Sequence, residues 1–221
     1  MNKYVQVGGW YSDDDHYKAD RDRNRLFLQH NAKEIFPFEH FVVNVADHGM
    51  GYWHRNSQSI TVPNLGHVVQ MRNDGIDGYC GWSVSVMMGI LYAYHHHADM
   101  LYIEQDCLVF GEGWIDYFQS HPAKLIVGLG PHPTYVEQSL FYLKYEYLLP
   151  FLLRWLAIPE QDRELVPEQK WMRLMNETPN LIQQMPYGYG RRRPYNSNDE
   201  RWYIQQVTND ELADLVEWGL V

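Results

Sequence analysis

Apolar residues along this chain come in short runs separated by polar, glycine-bearing loops, and the spacing of those runs predicts alternating strands and helices. Residues 3–8 (KYVQVG) read as a strand, SDDDH at 12–16 as an acidic loop, and residues 18–34 as a charged helix. HFVVNVAD at 40–47 and GHVVQMRN at 66–73 read as two further buried strands. The glycine-rich DGIDGYCG then leads into WSVSVMMGILYAYHHH, whose length and all-round apolarity suit a helix packed between layers. DMLYIEQD is a fourth strand, WIDYFQSH a short helix and KLIVGLG at 124–130 a fifth strand. Strands separated by helices imply an α/β fold with a mostly parallel, Rossmann-like sheet flanked by helices. From about residue 134 the pattern reads as helical, and SLFYLKYEYLLPFLLRWLA at 139–157 as a buried or capping helix pair. No repeat or low-complexity linker divides the chain, so 1–221 is read as one domain, with a core over about 1–130 and a helical region over about 131–221.

Composition narrows the classes of partner. A content of 45% hydrophobic and 15% aromatic residues over 221 positions suffices for a substantial core. The formal net charge of −10 argues against nucleic acid or an anionic membrane as the ligand, because either needs a basic face. A phosphate ligand must then be met locally, by a metal or an arginine cluster. The run at 139–157 is interrupted by Lys144, Glu146, Pro150 and Arg154, which argues against a membrane span. Cys80 and Cys107 are too few for a disulfide scaffold, and a reducing, cytoplasmic setting is expected.

The chemistry concentrates in ADMLYIEQDCLVFGEG, residues 98–113, where an apolar run meets Glu104, Gln105 and Asp106 and then resumes at Cys107. If extended geometry continues to Asp106, the two carboxylates project from one face of the strand. Two like charges side by side call for a divalent metal or a shared proton. The end of a parallel strand is also where open α/β sheets place their ligands. If instead the strand stops at Ile103, Glu104 and Asp106 fall in a solvated turn.

A hydrophobic strand ending in acid-x-Asp, preceded by an Asn/Asp- and Gly-bearing loop and a helix, resembles the nucleotide-sugar-dependent glycosyltransferases of GT-A fold. The resemblance is best over residues 66–113 and extends across 3–130. IEQDCLVF places Glu104 and Asp106 at the two acidic positions of the family's Asp-x-Asp metal motif, with Glu in place of the first Asp. The resemblance implies Mn²⁺ or Mg²⁺ bridging the donor's diphosphate, with Asp106 the first ligand and Glu104 the second. It places the base and ribose at the end of the first strand, here Val7, Gly8, Gly9 and Trp10, where glycines admit a planar group and Trp10 can stack on it. It brings Arg72, Asn73, Asp74 and Asp77 toward the donor sugar and phosphates.

Other residues complete the candidate list. Arg191, Arg192 and Arg193 in YGYGRRRP are the densest positive cluster of an acidic chain, read either as a glycine-hinged lid over the diphosphate or as a solvated loop. His132 follows the fifth strand at the same sheet edge and is a further metal or donor candidate. His95, His96 and His97 point about 100° apart on a helix and cannot all serve one ion, so they are read as structural. Glu137, opening an apolar helix at 138–149, is the candidate base toward the acceptor hydroxyl, and Asp116 a weaker rival. The expected activity is transfer of a sugar from a nucleotide diphosphate-sugar to a glycan or other hydroxyl acceptor. A metal-dependent phosphoester hydrolase and a non-catalytic binding relative are the alternatives.

Overall fold

The computed structural model describes residues 3–10, 27, 30, 31, 39–44, 57–61, 80–129, 136–158, 167–185 and 201–221. In chain order these form β1 (Tyr4–Trp10), β2 (Glu39–Asn44), β3 (Ser57–Thr61), α1 (Cys80–His95), β4 (Asp99–Ile103), β5 (Cys107–Phe110), α2 (Trp114–Ser120) and β6 (Leu125–Leu129). Then come β7 (Val136–Leu143), α3 (Tyr145–Leu156), α4 (Pro167–Glu177), β8 (Ile182–Gln184), β9 (Trp202–Gln205) and α5 (Asn209–Glu217).

Seven strands make one sheet in the order β3-β2-β1-β4-β7-β6-β8, and β5 pairs with β9 in a separate two-stranded sheet. β1 runs parallel to β2 and β4, β2 to β3, and β6 to β8, whereas β7 runs antiparallel to both β4 and β6. The sheet is thus mixed, with a single reversed strand. Register places Val7 beside Tyr102 and Trp10 beside Asn44, so β1, β2 and β4 end along one edge. Because Ile103 lies opposite Leu140, residues 136–139 of the reversed strand overhang that same edge.

Each face of the sheet carries its own core. On one, Val5, Val7, Met100, Tyr102, Phe141 and Leu143 pack with Val86 and Ile90 of α1, Phe151 of α3 and Trp171 of α4. α1 approaches so closely that a Cβ at Gly89 would overlap the side chain of Val7, so this helix position must lack one. On the other face, Tyr4, Leu101, Ile103, Leu140 and Tyr142 pack with Trp114 and Phe118 of α2 and with Cys107, Val109 and Tyr203. The β5–β9 ribbon then shields a third cluster of Phe27, Leu108, Phe110, Trp202, Ile204 and Leu215, in which Phe110 and Trp202 stack with centroids 4.0 Å apart.

Several expectations are corrected. Residues 138–149 are not a helix: Val136–Leu143 is a strand buried at every position, and the helix begins only at Tyr145. Every position of Val136–Leu143 is buried, Glu137, Gln138 and Ser139 included, so its polar residues do not mark an outer face, and the slot between β4 and β6 decides. Among the described residues the last third therefore carries β7, β8 and β9 as well as α3, α4 and α5. The fourth strand stops at Ile103 instead of continuing to Asp106. Ser57–Thr61, too polar to register as a strand, is one, while the strand expected at 66–73 lies outside the described residues. Among the described residues no helix is long and apolar enough to cross a membrane.

Candidate active site

Glu104, Gln105 and Asp106 form a tight turn between β4 and β5, closed by Cys107 N–H donating to the Glu104 carbonyl at 3.1 Å. The turn is pinned from three directions. Glu104 N–H donates to the Ser139 carbonyl on β7 at 2.8 Å, and Gln206 N–H donates to the Asp106 carbonyl at 3.2 Å. On the outer edge of β5, the Asn31 side chain imitates a neighbouring strand: its Nδ2 donates to the Cys107 carbonyl at 2.7 Å and its Oδ1 accepts from Val109 N–H at 2.9 Å. His30, its ring against Phe110, reaches the Val109 carbonyl at 3.0 Å.

The turn brings the two carboxylates together by a route other than strand alternation. Gln205, buried on β9, aims its Nε2 between them and donates to Glu104 Oε2 and, at 3.3 Å, to Asp106 Oδ1. Glu104 and Asp106 are themselves half-buried, so the pair keeps partial access to solvent.

Glu137 reaches the same place because β7 is irregular. Val127 lies opposite Phe141 but Gly128 lies opposite Glu137, so Gln138, Ser139 and Leu140 bulge away from β6. The bulge inverts the strand's alternation: Val136 shares a core with Phe141, five positions on, although an unbroken strand would put them on opposite faces. Glu137 therefore faces the side of Cys107, and its Oε1 accepts from Ser139 N–H at 3.2 Å. The buried Cys107 thiol records this electrostatic setting. Burial above all holds its pKa well above the usual thiol value, reinforced by the negative charges of Asp106, Glu104 and Glu137 and opposed by a hydrogen bond with Ser139.

The structure thus gathers Glu104, Asp106 and Glu137 at one sheet edge. Val7 and Gly8 lie buried midway along β1, and Gly9 and Trp10 complete the strand at that edge. Asp116 lies in the first turn of α2. His95 ends α1, His96 stacks on Tyr92 at 4.2 Å, and His97 Nδ1 meets the Tyr145 hydroxyl at 3.0 Å. Arg72, Asn73, Asp74, Asp77, His132, Arg191, Arg192, Arg193 and the SDDDH loop lie outside the described residues. Gln205, Ser139 and Asn31 had no signal in their own neighbourhoods, since each is an ordinary polar residue until the fold brings it to the turn.

No protein-family model matches the sequence, and no curated protein matches it. Solved structures do. The chain superposes on a glycosyltransferase involved in glycosylation of the major capsid of PBCV-1 with a TM-score of 0.56 and 8% identity, covering 99% of this chain and 100% of that one. On mouse xyloside xylosyltransferase 1 the TM-score is 0.54 with 11% identity, over 86% of this chain and 88% of that one. On LgtC, a galactosyltransferase solved with donor and acceptor sugar analogues, the TM-score is 0.51 with 9% identity, over 85% of this chain and 76% of that one. At such identities the likeness is one of fold, and this chain has the GT-A fold of those glycosyltransferases.

Proposed function

We propose that this protein is a metal-dependent glycosyltransferase that moves a sugar from a nucleotide diphosphate-sugar donor to an acceptor hydroxyl. The observation that carries the reading is the convergence of Glu104 and Asp106 on one side-chain amide at the carboxyl edge of a GT-A sheet. That edge is where open α/β sheets bind ligands.

The donor set suits the ion. Carboxylate oxygens are hard ligands that favour Mg²⁺ or Mn²⁺ over softer metals. Among the described residues no group of three His, Cys, Asp or Glu side chains is placed to hold an ion unaided. Asp106 and Glu104 would share it with the diphosphate, and a bound ion would supply charge stabilisation to the departing nucleotide diphosphate. His132 and the arginines at 191–193 are proposed as further contacts to ion and phosphates.

The chain's own residues do the rest. The half-buried turn, fixed by Ser139, Gln206 and Asn31, presents two carboxylates without reorganisation when the donor arrives. Gly8 and Gly9 carry no side chain that would obstruct a planar base at the end of β1. Glu137, brought to the edge by the bulge, is proposed to take the proton of the incoming hydroxyl.

The test is a panel of nucleotide sugars incubated with the protein and Mn²⁺, with and without hydroxyl acceptors. Metal-dependent consumption of one donor supports the reading. Cleavage of simple phosphoesters instead identifies a hydrolase, and donor binding without turnover a non-catalytic relative.

A further inference from the structure

The Glu104–Asp106 pair poses a physical problem. Two half-buried carboxylates held together repel, and a lysine or arginine between them would cancel the charge a cation needs. The structure places a neutral donor there. From the juxtaposition of Gln205 Nε2 with Glu104 Oε2 and Asp106 Oδ1, we infer that Gln205 is the positioning residue that holds the two carboxylates convergent while leaving their negative charge for the ion. The inference rests on the reading that this pair meets the donor's metal.

Three features fix Gln205 for that task. Its backbone is locked in the β5–β9 ribbon, directly opposite Cys107, the residue that follows the turn. The ladder then carries past it: Gln206 takes a left-handed backbone, φ 54°, unusual for a residue with a side chain, and still donates its N–H to the Asp106 carbonyl at 3.2 Å. The stacked Phe110–Trp202 pair anchors the far end of the ribbon. The side chain is 2% exposed, so its orientation is set by the protein and not by solvent. One strand thus supplies both a side-chain and a backbone contact to the same turn. An amide suits the position because its NH₂ offers two donors and no charge.

The experiment uses the full chain in two arms. In the first, Mn²⁺ affinity is titrated without donor: Gln205→Met, which keeps the volume and loses the donor, is expected to bind Mn²⁺ about 10-fold or more weakly, the usual penalty for losing a group that orients a metal ligand. Unchanged affinity in a folded variant overturns the inference. The second arm needs no metal. Gln205→Met is expected to lower the melting temperature by about 4 °C in the parent and by less than half as much when Glu104→Gln and Asp106→Asn are already present, because the two charges no longer require a shared donor. Equal losses in both backgrounds would make Gln205 a packing residue and overturn the inference. A parent that binds no Mn²⁺ and transfers no sugar refutes the proposed function instead, and the metal-free arm still decides the role of Gln205.

Discussion

Gly128 on β6 lies against the hydroxyl of Tyr203 on β9, so close that a Cβ at position 128 would overlap it and stand 2.5 Å from the Glu137 carbonyl oxygen. This contact ties the main sheet to the β5–β9 ribbon at the bulge that aims Glu137. Gly128→Ala is expected to cost about 1–3 kcal/mol through overpacking. At roughly 2–4 °C per kcal/mol for a chain of this size, thermal melting should show a drop of several degrees. Tyr203→Phe in the same protein should recover part of it.

Asp106→Ala tests the metal assignment. The variant is expected to stay folded by circular dichroism while metal-dependent donor binding disappears in calorimetry. Parent-like binding of metal and donor would remove Asp106 from the site.

Glu137→Gln preserves shape and removes the basic oxygen. Turnover should fall by at least ~10²-fold with donor affinity nearly unchanged, as steady-state kinetics and donor titration would show. Near-normal turnover would dismiss Glu137 as the base.

At the opposite end of β4, buried Asp99 accepts from the Tyr142 hydroxyl at 2.7 Å and from Tyr145 N–H at 2.8 Å, capping α3, whose own cap residue Lys144 makes no such bond. Burial first, then the Asp99 charge, raises the Tyr142 phenol well above its usual value. Asp99→Ala leaves both donors without this acceptor, at about 1–3 kcal/mol each. Melting should fall markedly, and donor binding at the far edge should survive.

His121 Nδ1 accepts from Ala123 N–H at 3.1 Å, which requires that nitrogen to be unprotonated. Burial, then the positive charge of Lys144, lowers the His121 pKa below its usual value. The unfolded chain therefore takes up the proton first as pH falls, so this contribution is complete above about pH 6.5 and is lost as pH drops through the lower folded value. Denaturant unfolding compared between the parent and His121→Asn, whose side-chain oxygen can still accept, should show a smaller loss on acidification in the variant.

The sequence by itself determined four of the strands that run the same way and the place of the paired carboxylates after one of them. Apolar runs bounded by turn residues marked β1, β2, β4 and β6, the all-round apolarity of α1 marked a helix between layers, and the position of Glu104 and Asp106 after a buried strand marked the sheet edge. Tertiary structure alone decided how those carboxylates meet. The strand ends before them, and they converge through a turn braced by Gln205, 101 residues from Glu104 and 99 from Asp106. It also decided that Val136–Leu143 is a strand, because a segment buried on both faces loses the periodicity that separates strand from helix. The bulge that delivers Glu137 depends on which strands flank β7, and strand pairing is a long-range choice that no local window of residues contains.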